Sequence, residues 1–240
     1  ELNKLDCDTI MATNPYYLSE EDAMENAPPR EEGMILGWDS FPSCQLDTGN
    51  NRVACQGSKV ADTFYIGKHQ NWFTICIAGV GYYHYNRNNF NYVYATLAGG
   101  NDTLEVVQTG STRTCTYGSS SITVGPFDAS WDEYLEAYGY TGQDVLIGTP
   151  NSDSLFGEND ADGVHGMGGM DALYGGEGSD IIWAGDGVGD NMQGGSGDDT
   201  LTGVWFGYGS GFDYMYGGDG HDTYVAGPDG SFMQDDTSQW

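Results

Sequence analysis

The sequence predicts an all-β fold in which short strands coil and stack. Three observations predict it. A nonapeptide recurs nine times between residues 139 and 225, and the segments before it are short, β-rich and separated by glycine and asparagine turns. The third is composition: 38 of 240 residues are glycine, and no apolar run approaches the length of a membrane span.

Taken in chain order, residues 1–56 show little periodicity. They hold SEEDAMEN, a short acidic helix with Ser19 as its cap, followed by the breaker APPREEG, and they read as an arm or cap. Residues 57–138 are an irregular β-rich region with the segments DTFYIG, WFTICIAG, YVYATLAGG, DTLEVVQTG, TCTYG and SITVGP. Two stretches echo the later repeat: GSKVADTFY sets Asp62 and Phe64, and LAGGNDTLE sets Asp102 and Leu104, at the spacing of its Asp and apolar positions. The coil is therefore expected to continue upstream in wider turns, joined through WDEYLEAYG at residues 131–139, with an independent β-sandwich as the open alternative. YYHYNRNNFNYVY at 82–94 alternates ring and amide in strand period. It reads as a half-buried strand, a sugar-stacking platform or a subunit contact.

The nine copies begin at Gly139, Gly148, Gly157, Gly166, Gly175, Ala184, Gly194, Tyr208 and Gly217, interrupted only by GVWFG at 203–207. Their sixth-position carboxylates are Asp144, Asp153, Asp162, Asp171, Asp180, Asp190, Asp199, Asp213 and Asp222, counting Asp190 in the one copy that is a residue longer. Glycine permits the tight turn of each copy, and the residues around position eight alternate as a very short strand. A single copy cannot bury its one apolar residue, so copies must stack, two to a turn, with copies n and n+2 superposed. The nine carboxylates then form two ladders, Asp144, Asp162, Asp180, Asp199, Asp222 and Asp153, Asp171, Asp190, Asp213. Neighbouring carboxylates repel unless a cation lies between them, and hard oxygen ligands without imidazole or thiolate select Ca²⁺. Four gaps in one ladder and three in the other allow about seven ions. The stacking also turns Val145, Ile147, Ile181, Trp183 and Val225 outward on one sheet, and Phe156, Tyr174 and Tyr216 outward on the other. Such an apolar face is expected to be covered or to dock a partner.

GGEGSDIIW, GGSGDDTLT and GGDGHDTYV resemble the RTX, or hemolysin-type, calcium-binding repeat G-G-x-G-x-D-x-U-x. The resemblance covers a little over a third of the chain and implies a right-handed parallel β-roll with Ca²⁺ held in its turns. The copies at 139, 148 and 157 depart from the pattern; Pro150 and Asn151, then Asn159 and Asp160, replace loop glycines in the last two. Residues 226–240 read as a C-terminal cap.

Charge narrows the partners. Seven basic residues face 36 acidic ones for a net charge of −29, and no Lys or Arg follows Arg113. Phosphate neutralisation of a nucleic acid is excluded on that balance, and divalent cations are the missing countercharge. Residue 1 is Glu with no basic start and apolar core after it, which reads as a processed chain. Five cysteines, Cys7, Cys44, Cys55, Cys76 and Cys115, all lie outside the repeats and suggest two disulfides, Cys44 with Cys55 and Cys76 with Cys115, leaving Cys7 over.

Neither H-E-x-x-H nor G-x-S-x-G occurs, and the four histidines are scattered, so no catalytic residues are assigned. The sequence points to a non-enzymatic, secreted, calcium-stabilised structural or adhesive protein of the cell surface or matrix that associates with itself or with a surface or glycan. A carbohydrate-binding adhesin is the alternative, and a secreted hydrolase or toxin of the same repeat class a weaker one.

Overall fold

The structure, a computed structural model, describes residues 41–128, 130–187, 189–204, 213–225 and 232–234. The acidic helix at SEEDAMEN, Cys7, the first positions of the Tyr208 copy and most of the expected C-terminal cap lie outside the described residues. Among the described residues the chain is all-β apart from one 3₁₀ turn at Arg87–Asn89.

Upstream of the repeats run β1 (Ser43–Asp47), β2 (Arg52–Gln56), β3 (Thr63–His69), β4 (Trp72–Ile77), β5 (Gly81–Tyr85), β6 (Tyr92–Thr96), β7 (Thr103–Val106), β8 (Arg113–Tyr117) and β9 (Ser120–Val124). The linker and the repeats supply β10 (Tyr134–Thr141), β11 (Val145–Ile147), β12 (Ser154–Asn159), β13 (Gly163–Met167), β14 (Ala172–Glu177), β15 (Ile181–Gly185) and β16 (Asn191–Ser196). They end with β17 (Thr200–Val204), β18 (Tyr214–Asp219), β19 (Thr223–Val225) and β20 (Phe232–Gln234). From β10 on the chain alternates between two sheets. One has the order β1-β2-β6-β10-β12-β14-β16-β18-β20 and the other β19-β17-β15-β13-β11-β7-β3-β4-β5.

Within the repeats every pairing is parallel and in register, so copies n and n+2 superpose. Leu146 pairs with Val164, Val164 with Ile182 and Ile182 with Leu201 in one sheet, and Leu155 with Leu173 and Leu173 with Met192 in the other. These side chains are completely buried. Burial of each such side chain contributes roughly 2 kcal/mol, so the stack rather than any one copy holds the fold.

The ladders cross residue 138 without a break. Phe64 and Leu104 extend the Leu146 row, and Ala95 and Ala137 extend the Leu155 row. The upstream strands β1–β7 therefore belong to the same two sheets as the repeats, not to a separate sandwich, and β8 and β9 pair only with each other as a two-stranded sheet. Both sheets are nevertheless mixed, because the upstream end is antiparallel: β1 pairs with β2, and β3, β4 and β5 form a meander. Tight turns dictate this, with Asn51, Gln70 and Gly79 at φ of 56°, 52° and 76° reversing the chain where a coil would have continued.

Both expected disulfides are present, Cys44–Cys55 across β1 and β2 and Cys76–Cys115 between β4 and β8. The second pins the β8–β9 hairpin over the outer face of the meander, burying Cys76, Val107, Cys115 and Val124 with Tyr65, Tyr82 and Ile122 packed against them. The end of the coil is plugged by Phe73, whose ring packs against Phe90, Phe127 and Trp131 at centroid distances of 4.9, 6.0 and 5.4 Å.

The segment 82–94 is not one strand. It is cut at Asn86, whose side chain caps the 3₁₀ turn by accepting from the Asn88 N–H at 2.9 Å, and its halves enter different sheets as β5 and β6. Arg87 then ties this turn to the linker through Asp132 at 2.7 Å and Glu133 at 3.0 Å.

Candidate metal centre

The position-six carboxylates point inward, two residues before the core residue of each copy and on the same side of the strand. Asp144, Asp153, Asp162, Asp171, Asp180, Asp190, Asp199 and Asp213 are all at most 3 % exposed, and Asp222, in the last copy, is half-buried. They form two ladders with one geometry throughout: each Asp donates its backbone N–H to Oδ1 of the Asp one turn further on. In the first ladder Asp144 donates to Asp162 at 2.7 Å, Asp162 to Asp180 at 2.8 Å, Asp180 to Asp199 at 2.8 Å and Asp199 to Asp222 at 2.9 Å. In the second, Asp153 donates to Asp171 at 2.8 Å, Asp171 to Asp190 at 2.7 Å and Asp190 to Asp213 at 3.3 Å.

Oδ1 is thus satisfied and Oδ2 is not. The Oδ2 atoms of Asp144, Asp162, Asp171, Asp180, Asp190 and Asp199 are buried without a hydrogen-bond partner. Leaving one charged oxygen so placed costs several kcal/mol, and six in succession call for a cation. The loop is shaped for one. A Cβ on Gly175 would collide with Asp180 Oδ2 and with the carbonyl oxygen of Gly194, so a carboxylate oxygen and a carbonyl oxygen flank a space that only glycine leaves open. The same pairing recurs at Gly139, Gly148, Gly157, Gly166 and Gly194, so it does not by itself separate one rung from another.

The backbone path is equally regular. Position two of these copies is left-handed, at Gly176, Gly185, Gly195 and Gly218 and also at Tyr140, Glu158 and Met167, with φ of 77°, 83° and 82°. Side chains other than glycine avoid this region, so the loop is held there against local preference. The copy at 157, which lacks loop glycines, keeps the path by forcing both Glu158 and Asp160 into it.

The copy at 148 does not keep it. Thr149 is not left-handed, because Pro150 restricts the residue before it to extended backbone. Its N–H therefore reaches Asp153 Oδ2 at 2.5 Å and its hydroxyl reaches Oδ1 at 2.9 Å, while the Leu135 N–H also donates to Oδ1 at 2.7 Å. Asn151 of the same loop is spent on the linker, donating to the carbonyls of Trp131 and Glu133 at 2.9 and 2.8 Å.

Burial dominates the electrostatics. It pushes Asp162 and Asp199 up to about 7 and Asp171 to about 9, and Asp144 and Asp190 to about 6, with neighbouring carboxylates adding to the rise. A cation would reverse that shift by stabilising the ionised form. Among the described residues no three His, Cys, Asp or Glu side chains converge. An ion here would draw its other ligands from backbone carbonyls, the all-oxygen shell that suits Ca²⁺ and not zinc.

The histidines do not assemble a site. His84 is buried against Thr74 at 2.9 Å and stacks on His69, burial lowering it to about 4, while His165 packs edge-on to Trp183 at 5.7 Å. The sequence undervalued one residue: Asp102, already spaced like a repeat Asp, joins the first ladder by donating its N–H to Asp144 Oδ1 at 2.7 Å.

Residues 138–171, 165–188, 189–203 and 209–232 match four copies of the RTX calcium-binding nonapeptide repeat. No curated protein and no solved structure is similar enough to the chain to count as a match.

Proposed function

We propose, from the premise that residues 138–232 are RTX calcium-binding repeats, that this is a secreted, non-enzymatic structural or adhesive protein that calcium folds outside the cell. The nine repeat Asp residues other than Asp153 would hold the ions, in a roll wound right-handed as parallel crossovers are. The observation that carries the proposal is the run of buried, unsatisfied Oδ2 oxygens in a half of the chain without Lys or Arg. Such a stack is self-repelling at the low free calcium of a cytoplasm and neutralised at millimolar calcium, so folding is coupled to arrival outside. The two disulfides fit the same oxidising destination.

The adhesive part rests on the uncovered sheet face. The β8–β9 hairpin packs on the upstream strands, while Val145, Ile181 and Val225 remain 41, 43 and 49 % exposed beside Ile147 and Trp183. The glycan alternative is disfavoured because residues 82–94, the ring–amide segment that would supply its platform, divide between two sheets. Light scattering on the intact chain tests the proposal. Association in millimolar calcium that chelator abolishes, and that Trp183→Ser weakens without loss of bound calcium, is expected. A monomer at high protein concentration in calcium refutes the assembly, and a circular dichroism spectrum unchanged by chelator refutes the calcium-dependent fold.

A further inference from the structure

We propose that Asp102, upstream of every residue that matches the repeat, holds a calcium ion, and that Asp62 and Asp153, the first rung of each ladder, hold hydrogen-bond donors of their own loop where the others hold a metal. This inference rests on the calcium reading above and assigns its rungs one by one.

Asp102 shares the burial, the unpartnered oxygen and the backbone path of the metal-competent rungs, and differs from them at position one, where Leu97 replaces glycine. It is 1 % exposed, and its Oδ2 is buried without a hydrogen-bond partner. Its Oδ1 accepts from the Asp62 N–H at 2.7 Å, and its own N–H donates to Asp144 Oδ1 at 2.7 Å, so it lies in line with the ladder. Position two of its loop is Ala98, held left-handed at φ 76°, and position four is Gly100 at φ 112°. The carbonyl oxygen of Gly100 lies against Gly142 one turn on, as that of Asp160 lies against Gly178. Leu97 stands where the repeat has its first glycine, which is why the repeat pattern stops short of this turn.

Asp62 and Asp153 keep the ladder hydrogen bond to the next rung but lack the unpartnered Oδ2 and the left-handed position two. Asp62 Oδ2 accepts from the Ser58 N–H at 2.6 Å and from the Ser58 hydroxyl at 2.8 Å, while Asp153 takes the Thr149 N–H on Oδ2 and the Thr149 hydroxyl on Oδ1. Ser58 and Thr149 both occupy position two, and neither is left-handed. Pro150 accounts for Thr149, since a proline restricts the residue before it to extended backbone, and Val60 at position four resists the left-handed path that Gly100 takes there in the Asp102 loop. An extended position two turns its N–H toward the carboxylate and delivers a hydroxyl with it. The oxygen that elsewhere is left for metal then accepts two donors at Asp62 and one, the Thr149 N–H, at Asp153, and an ion at either rung would have to displace them.

Gaining the Asp102 rung and losing the Asp153 rung leaves the total unchanged, so the test must be local. Native mass spectrometry of the full chain in calcium should show Asp102→Asn carrying one ion fewer than the wild type and Asp153→Asn carrying the same number. An unchanged count for Asp102→Asn, or a missing ion in Asp153→Asn, overturns the assignment. Anomalous scattering from wild-type crystals grown in calcium decides the matter even if Asp102→Asn does not fold: a peak beside Asp102 Oδ2 and none beside Asp153 is expected, and the reverse refutes it. A wild type that carries no calcium at any rung overturns the calcium reading and this inference with it.

Discussion

Replacing Asp199 by Asn should change stability in opposite directions with and without calcium. The amide keeps an oxygen to accept the Asp180 N–H, now at 2.8 Å, and places an N–H₂ where Oδ2 lies near the Gly217 carbonyl. What it removes is the charge. Burial, reinforced by Asp180 and Asp222, lifts the Asp199 carboxyl from 3.8 to about 7. That rise of about three units, at roughly 1.4 kcal/mol each, makes the ionised group cost the metal-free fold about 4 kcal/mol at pH 8. In excess chelator the Asn variant should therefore fold at a lower concentration of a protecting osmolyte than the wild type, followed by circular dichroism. In calcium a binding site is lost, and once calcium exceeds its dissociation constant by more than about a thousandfold that site is worth more than about 4.1 kcal/mol, which outweighs the relieved charge, so at such saturating calcium the variant should unfold at lower urea. A variant shifted the same way under both conditions would show that Asp199 acts through packing and not through charge, and would refute the metal assignment of that rung.

Two further outcomes are expected. In chelator, acidification from pH 8 to pH 5 should restore β signal: the folded state has raised carboxyl values, about 7 at Asp102, Asp162 and Asp199 and about 9 at Asp171, so it binds more protons than the unfolded chain and loses stability as pH rises through them. Loss of β signal on the same acidification would contradict this. Glu158→Gly should raise the unfolding free energy in calcium by up to about 1 kcal/mol, read as a higher urea midpoint, because glycine relieves a left-handed side chain at φ 83°, and a lower midpoint would place the loop strain elsewhere.

The two ladders were legible because a period of nine with two copies per turn leaves one way to superpose Asp on Asp and Leu on Leu. The upstream echoes at Asp62 and Asp102 were legible for the same reason, and both lie in the first ladder. The distinction between Asp153 and its neighbours was half legible. Pro150 stood in the sequence, but that it frees the Thr149 N–H and hydroxyl for the carboxylate depends on a backbone path visible only in three dimensions. The splitting of residues 82–94 between sheets was not legible at all, since its ring–amide alternation fits a strand and only the Asn86 cap and the Arg87 pairs with Asp132 and Glu133 bend it away. The β8–β9 hairpin escaped for a similar reason: a disulfide, not a periodicity, lays it on the sheet.

The closed upstream end gives the coil a direction. A stack of near-identical turns has no intrinsic starting point, and any turn can form or fray first. Here the antiparallel meander, two covalent cross-links and the Phe73 plug make one end a finished surface on which the next turn can be laid. Each added turn then presents a fresh row of Asp N–H donors to the one after it. The chain is built to wind from its first turn toward its last, as an extending spring seated on a fixed base, and amide exchange in calcium should be slowest at the meander and fastest near Val225.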